Sequence, residues 1–254
     1  MPELVVCFKW VIDEAYIRRT SAGGLDFSSV DYKISEYDRN AIEAAVCLRD
    51  ACGGSVTAVT VAPPEASKGV KDALSRGPDR AIFVSDAIFK DLDSSQTAAI
   101  LGEVLRGKAT FDLILCGEGS GDAYAQQVGP RLAELLSIPC ASYVQKLRIE
   151  GGQVIAERKA GDFTEVLAIP MPALVTVLPD IASPRIPGVK DTLMASKKPV
   201  ETIGQSELGE MPEARLKTVE VRASRMEREC EIFTPEAADV ARFVGALQKK
   251  GVLK

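Results

Sequence analysis

The 254-residue sequence predicts an α/β protein, a doubly wound, mostly parallel sheet with an antiparallel extension and a C-terminal arm. Three observations predict it. Short, near-continuous apolar runs alternate with helix-period segments through the first half of the chain. Glycine or proline pairs close the segments. A glycine-rich loop follows the fourth apolar run, at the place where open α/β sheets hold ligands.

In order, Leu4 to Phe8 is a first strand, and Tyr37 to Asp50 a helix with Ala41, Ala45, Leu48 and Cys52 on one face. Gly53-Gly54 ends that helix, and Ser55 to Ala62 is a second strand closed by Pro63-Pro64. Glu65 to Ser75 is a helix stopped by Gly77-Pro78, and Ala81 to Val84 a third strand. Ser94 to Leu105 is a helix with Ser94 or Ser95 as N-cap, and Phe111 to Cys116 a fourth strand. Ala123 to Leu136 is a helix burying Val128, Leu132, Leu135 and Leu136. Then four strands follow without helices: Tyr143 to Ile149, Val154 to Arg158, Glu165 to Ile169 and Ala173 to Leu178, read as an antiparallel extension. From Ser183 the chain has little core character. It resumes in a weak strand, Leu216 to Val221, and an amphipathic helix, Pro235 to Gln248, with Val240, Phe243, Val244 and Leu247 on one stripe. The division expected is a nucleotide-binding domain over 1–182 and an arm over 183–254 that lies on a partner subunit.

Composition narrows the function. Apolar content of 46% and charged content of 26% are those of a soluble globular protein, and a net charge of −5 gives no footprint for nucleic acid. The N-terminus has no basic leader before a long apolar stretch and no run reaches spanning length, so the expectation is a cytoplasmic protein. The six cysteines are scattered without metal-ligand spacing, and most read as small core residues. There is no histidine, which excludes Ser-His-Asp and Cys-His nucleophile chemistry and HExxH metal sites. No catalytic side chain and no metal ligand is assigned. The chain reads as one that binds and carries rather than an enzyme on its own.

The loop Gly117-Glu-Gly-Ser-Gly-Asp122 places three glycines within five residues. They let backbone N–H groups face an anion, and the helix beyond offers its positive end. The spacing is neither the dinucleotide GxGxxG nor a Walker A motif, because Asp122 stands at the third glycine position and no GK[ST] follows. From these residues alone, a phosphate cradle and a tight capped turn stay equally open. Arg18-Arg19 and Lys197-Lys198 read as solvated faces, and Trp10 as packing.

Four stretches in one order carry a family resemblance: SEYDRNAIEAA (Ser35 to Ala45), KDALSRGPDRA (Lys71 to Ala81), GEGSGDAYAQQVG (Gly117 to Gly129) and SPRIPGVKDTLMASKKP (Ser183 to Pro199). Together the chain resembles the β (small) subunit of electron transfer flavoprotein, and within it the FixA branch, whose members pair with FixB. The resemblance implies a Rossmann-like fold with an adenine-nucleotide site in this subunit and a redox FAD held mainly by the α subunit. That site holds AMP in classical members and a second FAD in electron-bifurcating ones. It implies a heterodimer with an α or FixB-type subunit and electron transfer between a donor, NADH or ferredoxin/flavodoxin-linked, and an acyl-CoA-type dehydrogenase or quinone-linked acceptor.

Carried onto this chain, the implied cofactor contacts fall on Cys7, on Ser35, Glu36, Tyr37 and Asp38, and on Val61. They continue on Gly119, Gly121, Asp122, Ala123, Tyr124, Ala125, Gln126, Gln127, Val128, Gly129 and Pro130. The pattern departs from classical members, where an Asp triplet follows the strand and only Asp122 stands here. It departs from bifurcating members at Tyr124, while Gln127-Val-Gly-Pro130 is kept and leans toward FAD. The tract from Ser183 to Lys198 matches the family's partner-docking loop, with Val189 at the anchor position and Arg185, Ile186 and Leu193 near it. Glu165 matches an acidic position facing the α subunit. The reading from another class is an adenine-nucleotide enzyme or signalling module of similar layout. It wants a Lys or Arg on the fourth-strand loop, where Glu118, Ser120 and Asp122 stand instead.

Overall fold

The structure, a computed structural model, describes residues 1–20, 24–223 and 230–253. The chain divides into two compact units: Met1–Arg18 with Asp26–Glu220, and Arg19–Leu25 with Val221–Lys254.

The first unit is built on a nine-stranded sheet. Its strands are β1 (Glu3–Cys7), β2 (Ser55–Ala62), β3 (Arg80–Ser85), β4 (Leu113–Gly117), β5 (Cys140–Glu150), β6 (Gln153–Ala160), β7 (Phe163–Pro170), β8 (Ala173–Val177) and β9 (Val200–Ile203). The order across the sheet is β7-β6-β5-β8-β4-β1-β2-β3-β9. The pairs β5/β6 and β6/β7 are antiparallel, and all the others are parallel. A short antiparallel ribbon pairs Trp10–Ile12 with Tyr32–Ile34 between β1 and the first helix.

The central strands are buried on both faces, which is why they read as unbroken apolar runs. Leu4, Val6, Leu113 and Leu115 face one layer, packed with Ala41, Ile42, Ala45, Val70 and Leu74 of helices α1 (Glu36–Cys52) and α2 (Ser67–Ser75). Val5, Cys7, Ile114 and Cys116 face the other, packed with Leu101, Leu105 and Leu132 of α3 (Ser94–Lys108) and α4 (Val128–Leu136). Each fully buried Leu or Ile contributes about 1.5–3 kcal/mol by leaving water. Gly53 and Gly54 end α1 with φ of 77° and 104°, and a Cβ on Gly54 would lie 1.9 Å from the Pro2 carbonyl oxygen. That turn therefore demands glycine.

Several expectations change. Asp93, not Ser94 or Ser95, caps α3: its carboxylate accepts from Gln96 N while the Gln96 side chain accepts from Asp93 N. Helix α4 starts at Val128 rather than Ala123, because Tyr124 and Gln126 hold φ of 43° and 57°, outside the right-handed helical region. Leu135 on α4 is 41% exposed, its side chain lying beside Gly102 of α3. Strand β8 is not part of the antiparallel extension; it returns to pair in parallel between β5 and β4. Residues 216–221 form no strand. The tract after Ser183 forms a short helix, α5 (Val189–Ala195), and then edge strand β9, with Ala195 and Ile203 both buried. Its signal was present in Asp191, which accepts from Gly188 N at the helix start. Only Cys7 and Cys116 are core thiols. The other four cysteines are exposed: Cys47 and Cys52 on α1, Cys140 at the start of β5, and Cys230 outside any helix or strand. Lys198 is not a solvated charge: its ammonium donates to the carbonyls of Leu74 and Pro78 at 2.9 and 2.7 Å, capping the end of α2.

In the second unit, helix α6 (Ala237–Lys249) has no buried residue, and Val240, Phe243 and Val244 stay 40–49% exposed. Phe233 meets Phe243 edge-on at 5.3 Å, and Arg242 lies over the Phe233 ring while pairing with Asp239 and Glu231. No helix among the described residues is long and apolar enough to cross a membrane.

Candidate functional site

Strand order reverses between β1 and β4: the chain runs from β1 outward to β2 and β3, then returns to β4 on the opposite side of β1. The crevice beyond their carboxyl ends is the place where such sheets take ligands. Three segments of the chain meet there: the end of β1, the start of α1 and the loop after β4.

Asp38 ties them together. Its carboxylate lies under the surface and accepts Lys9 N at 2.8 Å and Gly117 N at 3.2 Å, one bond per oxygen. Burial pushes its pKa up to about 7, and the two backbone bonds offset this only in part. The close approach sets a demand on Gly117. A Cβ there would stand 2.6 Å from Asp38 Oδ1 and 2.8 Å from the Tyr37 carbonyl carbon. Ser35, fully buried before α1, makes no side-chain cap to its own helix; its hydroxyl accepts from Gly121 N at 3.3 Å instead.

Beyond Gly117 the loop is held by its own polar groups. Asp122 accepts from the Lys9 ammonium at 2.6 Å, the Ser120 hydroxyl at 2.6 Å and Ala123 N at 2.7 Å. Burial alone raises the Asp122 pKa, but Lys9 and these bonds outweigh it, and the group lies below the usual carboxylate range. Tyr124 donates to Glu118 Oε1 at 2.9 Å, a bond that, with burial, raises its phenol to about 12. Its ring lies 5.2 Å from that of Tyr37. Gln127 Oε1 accepts from Ser94 Oγ and Arg131 Nε.

Several donors here have no internal acceptor. Among the described residues, no hydrogen bond takes up the N–H groups of Ala125, Gln126 or Gln127, which lead into the start of α4. Gly121 has open space where a side chain would be, with Val11 Cγ2 the nearest atom at 4.0 Å. Free N–H groups, a helix N-terminus and a bare glycine make a surface that an anionic group can approach closely. The residues present fit a phosphate or pyrophosphate.

The other sequence-derived residues fall as follows. Cys7 ends β1 and is buried beside Cys116, while Val61 sits half-buried at the end of β2. Glu36 is exposed and pairs with Lys33. Gly129 lies in the first turn of α4, where a Cβ would meet Thr176 Cγ2 at 2.4 Å, so glycine lets the helix sit on β8. Pro130 follows it on the exposed side. Arg185 turns inward and holds Glu43 with two bonds at 2.8 and 2.9 Å. Val189 and Leu193 stand 80% and 65% exposed. Glu165 pairs with Arg158 across β6 and β7 at 2.6 Å. Lys9 was not singled out from the sequence. It is the cation that the fourth-strand loop lacks, brought in from the end of β1, and its place directly after the first strand was the available signal. No cluster able to hold a metal ion occurs among the described residues. The model of the electron transfer flavoprotein domain family matches residues 23–208.

Proposed function

This chain belongs to the electron transfer flavoprotein domain family, and from that premise we propose that it is the β, or small, subunit of a heterodimeric electron transfer flavoprotein of the FixA type. In this reading it sits in the cytoplasm, pairs with an α or FixB-type subunit and shares the redox FAD with it. The assembly carries electrons from an NADH or ferredoxin/flavodoxin-linked donor to an acyl-CoA-type dehydrogenase or quinone-linked acceptor, with flavin-based bifurcation as one form. The flavin supplies the electron chemistry, and the chain supplies position and electrostatics.

The observation that carries the reading is the crevice at the carboxyl ends of β1 and β4, with its unoccupied N–H groups and bare Gly121. There the chain binds an adenine nucleotide, AMP or a second FAD. Gly119, Gly121 and the N–H groups from Ala125 to Gly129 approach the phosphates, and Ser35 to Asp38 and Val61 form the walls. Residues 183–254 are the arm that faces partners, with Val189 and Leu193 as apolar contacts and Glu165 toward the α subunit. The half-exposed apolar stripe of α6 supports this, since a helix with no buried residue needs a surface to lie on.

Co-expression with a FixB-type flavoprotein subunit tests the assembly. A stable heterodimer with flavin absorbance is expected. A chain that elutes alone and colourless, leaving the flavoprotein unpartnered, would overturn the proposal.

A further inference from the structure

Beside Pro184–Pro187 lies a groove of about 440 Å³ lined by Glu36, Arg39, Asn40, Arg76, Arg185 and Ile186, among others. Its three arginines are not equivalent. Arg76 holds Asp72 at 3.0 Å and donates to the Arg185 carbonyl, and Arg185 holds Glu43 at 2.8 Å. The Arg39 side chain makes no ion pair and no hydrogen bond among the described residues, and its Nε is buried with no acceptor. It attracts the Asp13 carboxylate by charge alone, without a hydrogen bond. Glu36 in the lining is bound by Lys33 at 2.9 Å, and the Asn40 amide donates to the carbonyls of Pro179 and Ala182.

A buried N–H without a partner is a costly arrangement, and a guanidinium is the donor set best matched to a carboxylate, through two parallel bonds. We propose that this groove receives a carboxylate side chain of the redox partner protein, paired by Arg39. A protein is favoured over a small free anion by what surrounds the groove. Ile186 is 93% exposed, and Val189 and Leu193 stand close by in sequence on α5. An acidic, apolar segment uses both features, with the ion pair fixing register and the apolar side chains supplying contact area. Inorganic phosphate uses only the charge. The inference rests on the proposed docking role of residues 183–198 and adds to it a specificity-determining cation on α1.

The test follows the arginine side-chain Nε–Hε resonances of the full-length protein at constant ionic strength. The probes are acetyl-Leu-Glu-Leu-Glu-amide, its glutamine analogue and inorganic phosphate. The Arg39 resonance should move with the acidic peptide, with at least about fivefold tighter binding than either other probe, a discrimination set by the charged pair. Arg39→Gln should abolish the preference, and Arg39→Lys should restore part of it. An Arg39 resonance that ignores the acidic peptide, an unchanged preference in Arg39→Gln, or tighter binding of phosphate would each overturn the proposal. Heterodimer elution of the wild type reports separately on the subunit reading, so failure of one is distinguishable from failure of the other.

Discussion

Replacing Asp38 by asparagine tests the electrostatics that hold the crevice. The wild-type carboxyl has a pKa of about 7 in the folded chain against an ordinary 3.8, because burial disfavours its charge. Between those values the folded state holds a proton that the unfolded state has released, so stability falls as pH rises and levels off above pH 7. From pH 5 to pH 8 the loss is about 3 kcal/mol, two pH units at ~1.4 kcal/mol each. Asparagine has no charge to bury, but it has one acceptor oxygen where the carboxylate uses two, for Lys9 N and Gly117 N. Losing one of those bonds costs about 1–2 kcal/mol at any pH. By pH 5 the wild type has already lost about 1.6 kcal/mol, so Asp38→Asn should be about as stable as wild type at pH 5 and about 2–3 kcal/mol more stable at pH 8. Urea unfolding followed by Trp10 fluorescence reads both, as a change in midpoint. An identical difference at the two pH values would show that Asp38 stays ionised throughout and that its backbone bonds, with Lys9 nearby, outweigh burial.

Two glycines of the same loop separate fold from function. Gly117→Ala should cost about 2–3 kcal/mol in thermal or urea unfolding, since its Cβ would press on Asp38 and the α1 backbone. Gly121→Val meets open space and should leave stability within about 0.5 kcal/mol while losing bound nucleotide; full occupancy would mark the loop as a plain turn. Val189→Ala removes two methyls from an 80% exposed side chain, so melting should not move, while electron transfer to the acceptor weakens about tenfold. A fall in melting temperature instead would make Val189 ordinary packing. Phe243→Ser, on the exposed stripe of α6, should reduce heterodimer yield; undiminished assembly would remove α6 from the subunit interface.

The doubly wound core was legible because β1, β2 and β4 are buried on both faces, which forces unbroken apolar runs, while α1 and α3 carry long amphipathic patterns. Strand β8 was placed in the antiparallel extension because its run, ALVTV, looks the same whether its neighbours are parallel or antiparallel. Helix α5 and β9 were missed since only Ala195 and Ile203 among them are buried, and two apolar positions set no period. At the site, the glycines announced a loop but not its path. Residues 123–127 have helical propensity, yet the bond from Tyr124 to Glu118 and the positive φ of Tyr124 and Gln126 hold them out of the helix. Lys9 and Asp122 lie 113 residues apart, a pairing that only the sheet order brings together.

The adenine-nucleotide site is tested most directly by the nucleotide content of the purified heterodimer, released by acid and identified by mass. Beyond the one redox FAD, one further adenine nucleotide per heterodimer, AMP or a second FAD, is expected, and it should be lost in Gly121→Val. A single FAD with no other adenine nucleotide, in a preparation active in electron transfer, would contradict this expectation.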